Sequence, residues 1–313
     1  MRFVLALSLM VSSSAWAQEW PSKPIRWLVP FAPGGPADVV ARIVAAGLAE
    51  RTGQPNVVEN QAGASGNIAH AAASKAAPDG HTVVFVVPAV ITNPFYLRAS
   101  VDPFRDLAPV IHLDNASMVL IAHPAFPPAN LPEVLSFIKQ NPGKATCGAS
   151  GALPSVGCEL LRSHAGADML MVMYKGNAPA LNALMGGEIN LLFDVVNIAV
   201  GHVKSGRVRA IASTAPKRGT GPLPDLPVMA ETIPGFDLVT WHGVMTAPST
   251  PRAVVERVNR ELNAVLQAAE TRQRFAASGL QVTGGTPDEF GVVLRRDYEK
   301  YGAALRSAGV KPE

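Results

Sequence analysis

The chain has 313 residues, 27 basic and 24 acidic side chains, and a formal net charge of +3 at pH 7. Its hydrophobic content of 48% can fill the cores of one large or two ordinary domains, which excludes a disordered protein. Because the basic residues form no run, the charge pattern gives no sign of nucleic-acid binding.

The N-terminus predicts export. Arg2 is followed by an apolar run and by small residues that end in Ala15-Trp16-Ala17, the pattern of a secretory signal peptide with an A-x-A cleavage site. The run is shorter than the roughly 20 residues that cross a bilayer. We expect residues 1-17 to be removed, so that a mature chain starting near Gln18 is released into the periplasm.

Short apolar segments alternate with helical patterns along the rest of the chain, which predicts an α/β fold with a largely parallel sheet. The expected strands are 25-31, 56-59, 82-87, 119-122, 144-148, 169-174, 189-194, 208-213, 238-246 and 280-283. The expected helices are 36-52, a small-residue helix after Asn67, 131-140, 155-164, 178-185, 198-204, and three that begin near Pro251, Glu270 and Thr286.

The C-terminal helices contain too little strand to form a sheet of their own, so we expect them to pack on the first α/β unit. The chain then crosses between two units near residues 119 and 241. This predicts one lobe of residues 18-118 plus 242-313, a second lobe of residues 119-241, and a hinged cleft between them.

Seven stretches, in this order, carry a resemblance to a known family: residues 20-35 with Asp38, residues 59-68, 76-80, 174-180, Phe193-Asp194, residues 210-213, and residues 284-290. Together they make the chain resemble the extracytoplasmic receptors of the tripartite tricarboxylate transporter family, also called Bug receptors. The resemblance covers essentially the whole mature chain.

The resemblance implies a type II periplasmic-binding-protein fold that closes like a Venus flytrap on an organic acid or amino acid. It also implies that backbone amides and ordered water hold the ligand's carboxylate. Inner-membrane permease subunits are the implied protein partners. We expect a monomer that has no cofactor and carries out no chemistry.

Carried onto this chain, the resemblance predicts ligand contacts in loops that join strands to helices. Such loops present free N–H groups and the positive end of the helix dipole, which favour an anion. The predicted ligand-binding residues are Phe31, Pro33, Gly34, Gly35, Pro36, Ala37, Asp38, Pro88, Thr92, Gly148, Ser150, Gly151, Ala152, Ser155, Tyr174, Gly176 and Asp194.

The chain departs from the family pattern in two places. Relatives usually have a polar loop and a histidine where this sequence has Ala152-Leu153-Pro154-Ser155, and often a threonine where it has Ala37. Both differences remove side-chain donors, so a relative's ligand cannot be transferred directly. For Asp38, ligand contact and complementation of the helix dipole remain equal alternatives. Trp241 and His242 are expected at the hinge or in the core.

A secreted serine hydrolase is one alternative function. Ser150 lies in a G-x-S-x-G-like stretch, with Asp194 and then His202 or His242 following in hydrolase order. Against this reading, Pro154 leaves little room for a nucleophile elbow and no H-G-G-G segment precedes it. A ligand-sensing adaptor that works without a permease is a second alternative.

Two cysteines, Cys147 and Cys158, lie eleven residues apart in a chain bound for a compartment that permits disulfides. They flank the predicted second-lobe ligand loop, so we predict a disulfide, with two buried free thiols as the alternative. No C-x-x-C or H-E-x-x-H motif is present, which predicts no metal site. Gly34-Gly35 matches neither phosphate-binding glycine pattern.

Overall fold

The computed structural model describes residues 20–174, 176–219, 222–236, 238–307, 310 and 312, and nothing is said of the side chains at 36, 152, 197 and 307. The predicted signal peptide and the predicted start of the mature chain at Gln18 lie outside these residues. Within them, no helix combines the length and apolar character needed to span a membrane.

Strands and helices alternate through most of the chain. The strands are β1 (Ile25–Val29), β2 (Asn56–Asn60), β3 (Thr82–Val86), β4 (Ala108–Ala122), β5 (Thr146–Ala149), β6 (Leu170–Met173), β7 (Leu191–Val195), β8 (Arg209–Ser213), β9 (Val239–Thr246) and β10 (Leu280–Val282). The helices are α1 (Pro36–Thr52), α2 (Asn67–Ser74), α3 (Ala89–Thr92), α4 (Leu131–Gln140), α5 (Ala152–Ala165), α6 (Asn177–Met185), α7 (Val196–Lys204), α8 (Arg252–Gln267), α9 (Ala269–Ala277) and α10 (Pro287–Ser307).

The strands form one continuous ten-stranded sheet in the order β2-β1-β3-β9-β4-β7-β5-β6, with β8 and β10 also paired to β4. The β1–β2 and β1–β3 pairs at one end and the β5–β6 and β5–β7 pairs at the other are parallel. In the middle, β4 and β9 run antiparallel to their neighbours. The sheet therefore has two parallel halves joined by two antiparallel strands.

Strand β4 is shared by both halves of the sheet. Residues from Ala108 to Ser117 pair with β9, whereas residues from Met118 onward pair with β7 and β8. We expected a strand only from Val119, so its first eleven residues were missed. That segment contains Asp114 among other polar residues, and its carboxylate is satisfied by a residue far away in the sequence, His242.

The helix boundaries follow local signals, with one notable difference. Helix α1 begins and ends where the sequence predicts, with a proline in its first turn and Gly53 in the left-handed conformation at its end. Helix α5 begins at Ala152 rather than at the expected Ser155, because Gly151 already serves as its N-cap. Pro154 then occupies the first turn, where a missing N–H costs nothing.

The core runs without interruption behind both halves of the sheet. One cluster of buried side chains joins Val84 of β3 and Leu294 of α10 to Leu120 of β4 and Leu161 of α5. Helix α5, from the second half of the sheet, packs against α3 and α10 from the first. The two halves are therefore held together by packing as well as by the shared strands.

Candidate functional site

A cleft of about 800 Å³ lies at the carboxyl ends of the strands, where ligands bind in open α/β sheets. The first turns of α1, α5, α6 and α7 all contribute to its wall. Each helix has at least nine residues, so each presents a substantial dipole with its positive end at the cleft. Four such ends meet here.

The structure brings about half of the predicted ligand residues to this wall. Those that line the cleft are Phe31, Pro33, Gly34, Gly35, Ala37, Ser150, Gly176 and Asp194. The side chains of Pro36 and Ala152 lie outside the described part of the structure.

Several other predicted residues are not part of the lining. Thr92, at the end of α3, is fully buried and its hydroxyl donates to the Pro88 carbonyl, and neither Thr92 nor Pro88 lines the cleft. Ser155 is buried, with its hydroxyl donating at 2.8 Å to the Gly151 carbonyl at the start of α5. These residues shape the loops and helix starts rather than the wall.

Gly148 and Tyr174 are also absent from the lining of the cleft. A Cβ on Gly148 would lie 2.4 Å from Ile189, so this glycine allows close packing beneath the cleft. Tyr174 is half-buried and is also absent from the lining, which its neighbour Gly176 reaches instead.

Asp38 fastens the β1–α1 loop. It is 3% exposed, and its carboxylate accepts from the Gly34 N–H at 2.9 Å, from the Arg42 guanidinium at 2.9 Å and from the Asn60 amide at 2.9 Å. The Arg42 hydrogen bond is the main reason that the pKa of Asp38 is lowered to about 2, and those from Gly34 and Asn60 add to it. All three of these contacts are internal to the protein.

The same loop leaves few amides available to a ligand. The Gly34 N–H is taken by Asp38, the Gly35 N–H lies 3.4 Å from the Ala32 carbonyl, and two loop residues are prolines. Ala37 and Asp38 occupy the second and third helical positions, whose N–H groups have no intrahelical partner. Of the residues that the sequence suggests for this loop, Ala37 and Asp38 therefore have N–H groups without an intrahelical partner, whereas the Gly34 N–H is occupied.

Asp194 is the penultimate residue of β7 and lies at the cleft wall. Its Oδ1 accepts from the Val195 N–H at 2.6 Å, whereas its Oδ2 is buried and has no hydrogen-bond partner among the described residues. Burial raises the pKa of Asp194 to about 6, and the hydrogen bond from the Val195 N–H and the nearby Asn177 side chain oppose that rise. This carboxyl group is the least satisfied polar group in the lining.

His242 is a cleft residue that the sequence analysis assigned to the hinge or core. Its Nδ1 lies 2.9 and 3.1 Å from the two carboxylate oxygens of Asp114, which is fully buried. A carboxylate accepts only, so Nδ1 carries the hydrogen and Nε2 is the free ring nitrogen. Trp241, the residue before His242, points to the opposite face of the strand, and its indole N–H donates to the Asp297 carboxylate.

Apolar side chains make up most of the remaining wall, and sequence reasoning missed them. They include Val87, Met118, Leu153, Leu181, Phe193 and Ile198. Met118 lies inside β4 and Val87 directly follows β3, and nothing in their local pattern distinguishes them from core residues.

Comparison with known proteins identifies the family of this chain. The family model described as tripartite tricarboxylate transporter family receptor matches residues 40–309. The chain belongs to this family. The resemblance seen in the sequence is thereby confirmed.

Three solved structures are similar to this receptor. The periplasmic binding protein BugD is 31% identical with a TM-score of 0.81, covering 94% of this chain and 100% of its own. Rpa4515 of R. palustris, solved with adipate, is 29% identical with a TM-score of 0.85, covering 94% and 100%. MatC from Rhodopseudomonas palustris, solved with malate, is 29% identical with a TM-score of 0.79, covering 91% and 100%. The receptor therefore has the two-lobed periplasmic-binding-protein fold that the sequence predicts.

The receptor contains a disulfide between Cys147 and Cys158. Their Cα atoms are 6.0 Å apart, within the range that a disulfide spans, and both residues are buried. The bridge ties the end of β5 to the second turn of α5. It encloses the segment with Ser150 and Leu153 that reaches the cleft.

The contacts of Ser150 do not favour a hydrolase. Its Oγ lies 3.4 Å from the Asn177 side-chain oxygen, and no histidine hydrogen-bonds to it among the described residues. Nucleophilic serine chemistry needs a base within hydrogen-bonding reach. His242, the histidine that lines the receptor's cleft, is instead held by Asp114. No group of three metal-binding side chains occurs in the described chain.

Proposed function

We propose that this receptor is a periplasmic solute-binding protein that captures a small carboxylate, an organic acid or an amino acid, for a tripartite tricarboxylate-type transporter. It carries out no reaction on the ligand. The observation that carries the proposal is the convergence of four helix N-termini on one cleft. Unpaired N–H groups and aligned dipoles make such termini favourable sites for an anion.

The absence of cationic side chains from the described lining supports recognition by the backbone. No Lys or Arg is found there, so the charge of an acid must be met by main-chain donors and dipoles. The first-turn amides of Ala37 and Leu153 come from opposite halves of the sheet. Together they form two sides of a clamp around one carboxylate.

Ligand capture requires the two lobes, residues 18-118 plus 242-313 and residues 119-241, to close around the cleft. Strands β4 and β9 link the halves and are the elements that bend. Because α5 also packs against α3 and α10, the motion slides packed surfaces as well as bending strands. We infer a monomer that hands its ligand to inner-membrane permease subunits.

The related structures and the N-terminal sequence support the ligand class and the location. The similar proteins were solved with adipate and with malate, both small dicarboxylates. The apolar run followed by Ala15-Trp16-Ala17 supports export to the periplasm. Intact-mass measurement of secreted protein would test cleavage near Gln18.

A thermal-shift screen followed by calorimetry tests the function. Mono-, di- and tricarboxylates, aromatic acids and amino acids are compared with uncharged sugars. A binding acid stabilises the folded state by about 2.7 kcal/mol at one hundred times its dissociation constant. If the sugars alone, or none of these compounds, raise the melting temperature, the proposal is wrong.

Backbone recognition is tested by a matched pair of substitutions at Ala37. Ala37→Pro removes one first-turn N–H at a position where helices tolerate proline, whereas Ala37→Ser keeps the N–H. We expect the proline variant to lose about tenfold or more in affinity and the serine variant to stay within a few-fold. Equal affinities would exclude the Ala37 amide as a ligand donor.

A further inference from the structure

Asp194 is a buried carboxylate that faces a cleft lined mainly by apolar groups. It is 1% exposed, yet it belongs to the cleft wall. Its Oδ1 is occupied by the Val195 N–H, while Oδ2 has no partner in the described part of the chain. A buried polar atom without a partner costs stability, so one in a binding cleft points to a contact with a ligand.

The ionisation state of Asp194 limits what that contact can be. Burial raises its pKa to about 6, so the carboxyl is mainly ionised at neutral pH. An ionised carboxylate only accepts hydrogen bonds and repels a second carboxylate. The ligand's own carboxylate therefore belongs at the N-termini of α1 and α5, away from Asp194, which lies beside the N-termini of α6 and α7.

We propose, on the basis of the carboxylate-binding function above, that Asp194 selects acids that carry a hydrogen-bond donor on their carbon chain. The donor is a hydroxyl or an ammonium group, and it binds Oδ2. The receptor thus recognises a small acid at two points: backbone amides bind the carboxylate, and Asp194 accepts a hydrogen bond from the donor. Asp194 is the specificity-determining residue of the site.

The surroundings of Asp194 define the rest of the ligand. Phe193 and Val195, its chain neighbours, both line the cleft, and Ile198 and Leu181 extend the apolar surface. A carbon chain packed there loses contact with water, which makes the one polar group that reaches Asp194 decisive. A hydroxy or amino acid such as malate or aspartate has this arrangement, whereas adipate lacks the donor.

Matched sets of acids test the proposal. Succinate, malate and aspartate share one carbon chain with no donor, a hydroxyl or an ammonium, and glutarate, 2-hydroxyglutarate and glutamate repeat the set one carbon longer. Calorimetry on the wild-type protein at pH 7.5 should show at least one donor-bearing acid binding about tenfold or more tighter than its plain counterpart. The hydroxy and amino members distinguish the two kinds of donor.

Two substitutions assign the preference to Asp194. Asp194→Asn removes the charge and should reduce mainly the binding of the amino acid, while Asp194→Leu removes both acceptor oxygens and should abolish preference for either donor. In both variants the plain acid should bind as well as in the wild type, or better. Asp168→Asn, an equivalent change at an exposed site in the same half of the protein, is the control and should alter nothing.

The outcomes separate this proposal from the proposed function. If plain acids bind but the Asp194 variants weaken all acids equally, the selectivity is wrong and the receptor function stands. If no acid binds the wild-type protein, both are wrong. Lys175 precedes the cleft residue Gly176 and lies outside the described residues, so a Lys175→Gln variant is measured as a further control. If that variant loses the preference for donor-bearing acids although Asp194 is intact, the proposal is overturned.

Discussion

The Asp38 carboxylate accepts a 2.9 Å hydrogen bond from the backbone N–H of Gly34, four residues earlier in the chain. The same carboxylate holds Arg42 and Asn60, so one side chain joins the loop, its helix and the neighbouring strand β2. The acidic group lies close to the proposed anion site, but its oxygens accept hydrogen bonds from donors of the protein itself. These contacts fix the loop next to the first turn of α1.

Replacing Asp38 should weaken both the fold and the site. Asp38→Ala leaves the Gly34 N–H and the Asn60 amide without their acceptor, and we expect a loss of about 1 to 3 kcal/mol in the free energy of unfolding. Ligand affinity should fall as well, because the loop loses its fixed shape. Urea denaturation and calorimetry measure the two effects, with Asp225→Ala at an exposed position as the control. An unchanged unfolding midpoint would contradict the positioning role.

Adjacent glycines in this loop should respond differently to substitution. Gly34 has φ +79°, a conformation that strains any L side chain, whereas Gly35 has an ordinary φ of −76°. No atom blocks a Cβ at Gly34, so the effect of Gly34→Ala is conformational. We expect it to cost about 1 kcal/mol and to reduce affinity, while Gly35→Ala leaves stability within about 0.5 kcal/mol. Thermal unfolding of both variants provides the comparison; equal melting temperatures would count against it.

The disulfide should stabilise the second ligand loop. Titration of unfolded, unreduced protein should find no free thiol, and reduction should lower the free energy of unfolding by about 2.5 to 3 kcal/mol. A Cys147→Ala, Cys158→Ala double variant should show the same loss and no further response to reductant. Two titratable thiols in the unreduced wild-type protein would contradict the disulfide.

Asp194 should make the ligand-free protein less stable at high pH. Because its pKa is raised in the folded state, its protonated form contributes stability that is present below about pH 4 and is lost as the pH rises through about 6. Asp194→Asn should therefore stabilise the ligand-free protein by roughly 1 to 3 kcal/mol at pH 8 and by little at pH 4. Unfolding measured across this range tests the sign, which a stabilisation independent of pH would contradict.

Local sequence signals predicted those parts of the site that depend on neighbouring residues in the chain, namely the loops at which helices begin. Glycine- and proline-containing loops after short apolar strands mark helix starts, so the start of α1 could be found without a structure and the start of α5 to within three residues. The loss of the Gly34 N–H as a donor could not be found in this way, because it depends on the hydrogen bond to Asp38.

The remaining misses involve residues whose partners are distant in sequence. Asp114 looks like a loop residue until His242, 128 positions later, lies opposite it in the sheet. The missed half of β4 and the position of His242 in the cleft wall thus have one cause. A single sequence does not show that Asp114 and His242 are partners.

Strand β4 also limits how this receptor can be taken apart. Its 15 residues supply hydrogen bonds to both halves of the sheet, so a cut between the lobes would leave each fragment with an exposed strand edge. Exchanging binding specificity with a relative by swapping a whole lobe would break the same strand. Chimeras should instead exchange the loops at the strand ends, where the backbone can change without disturbing the sheet.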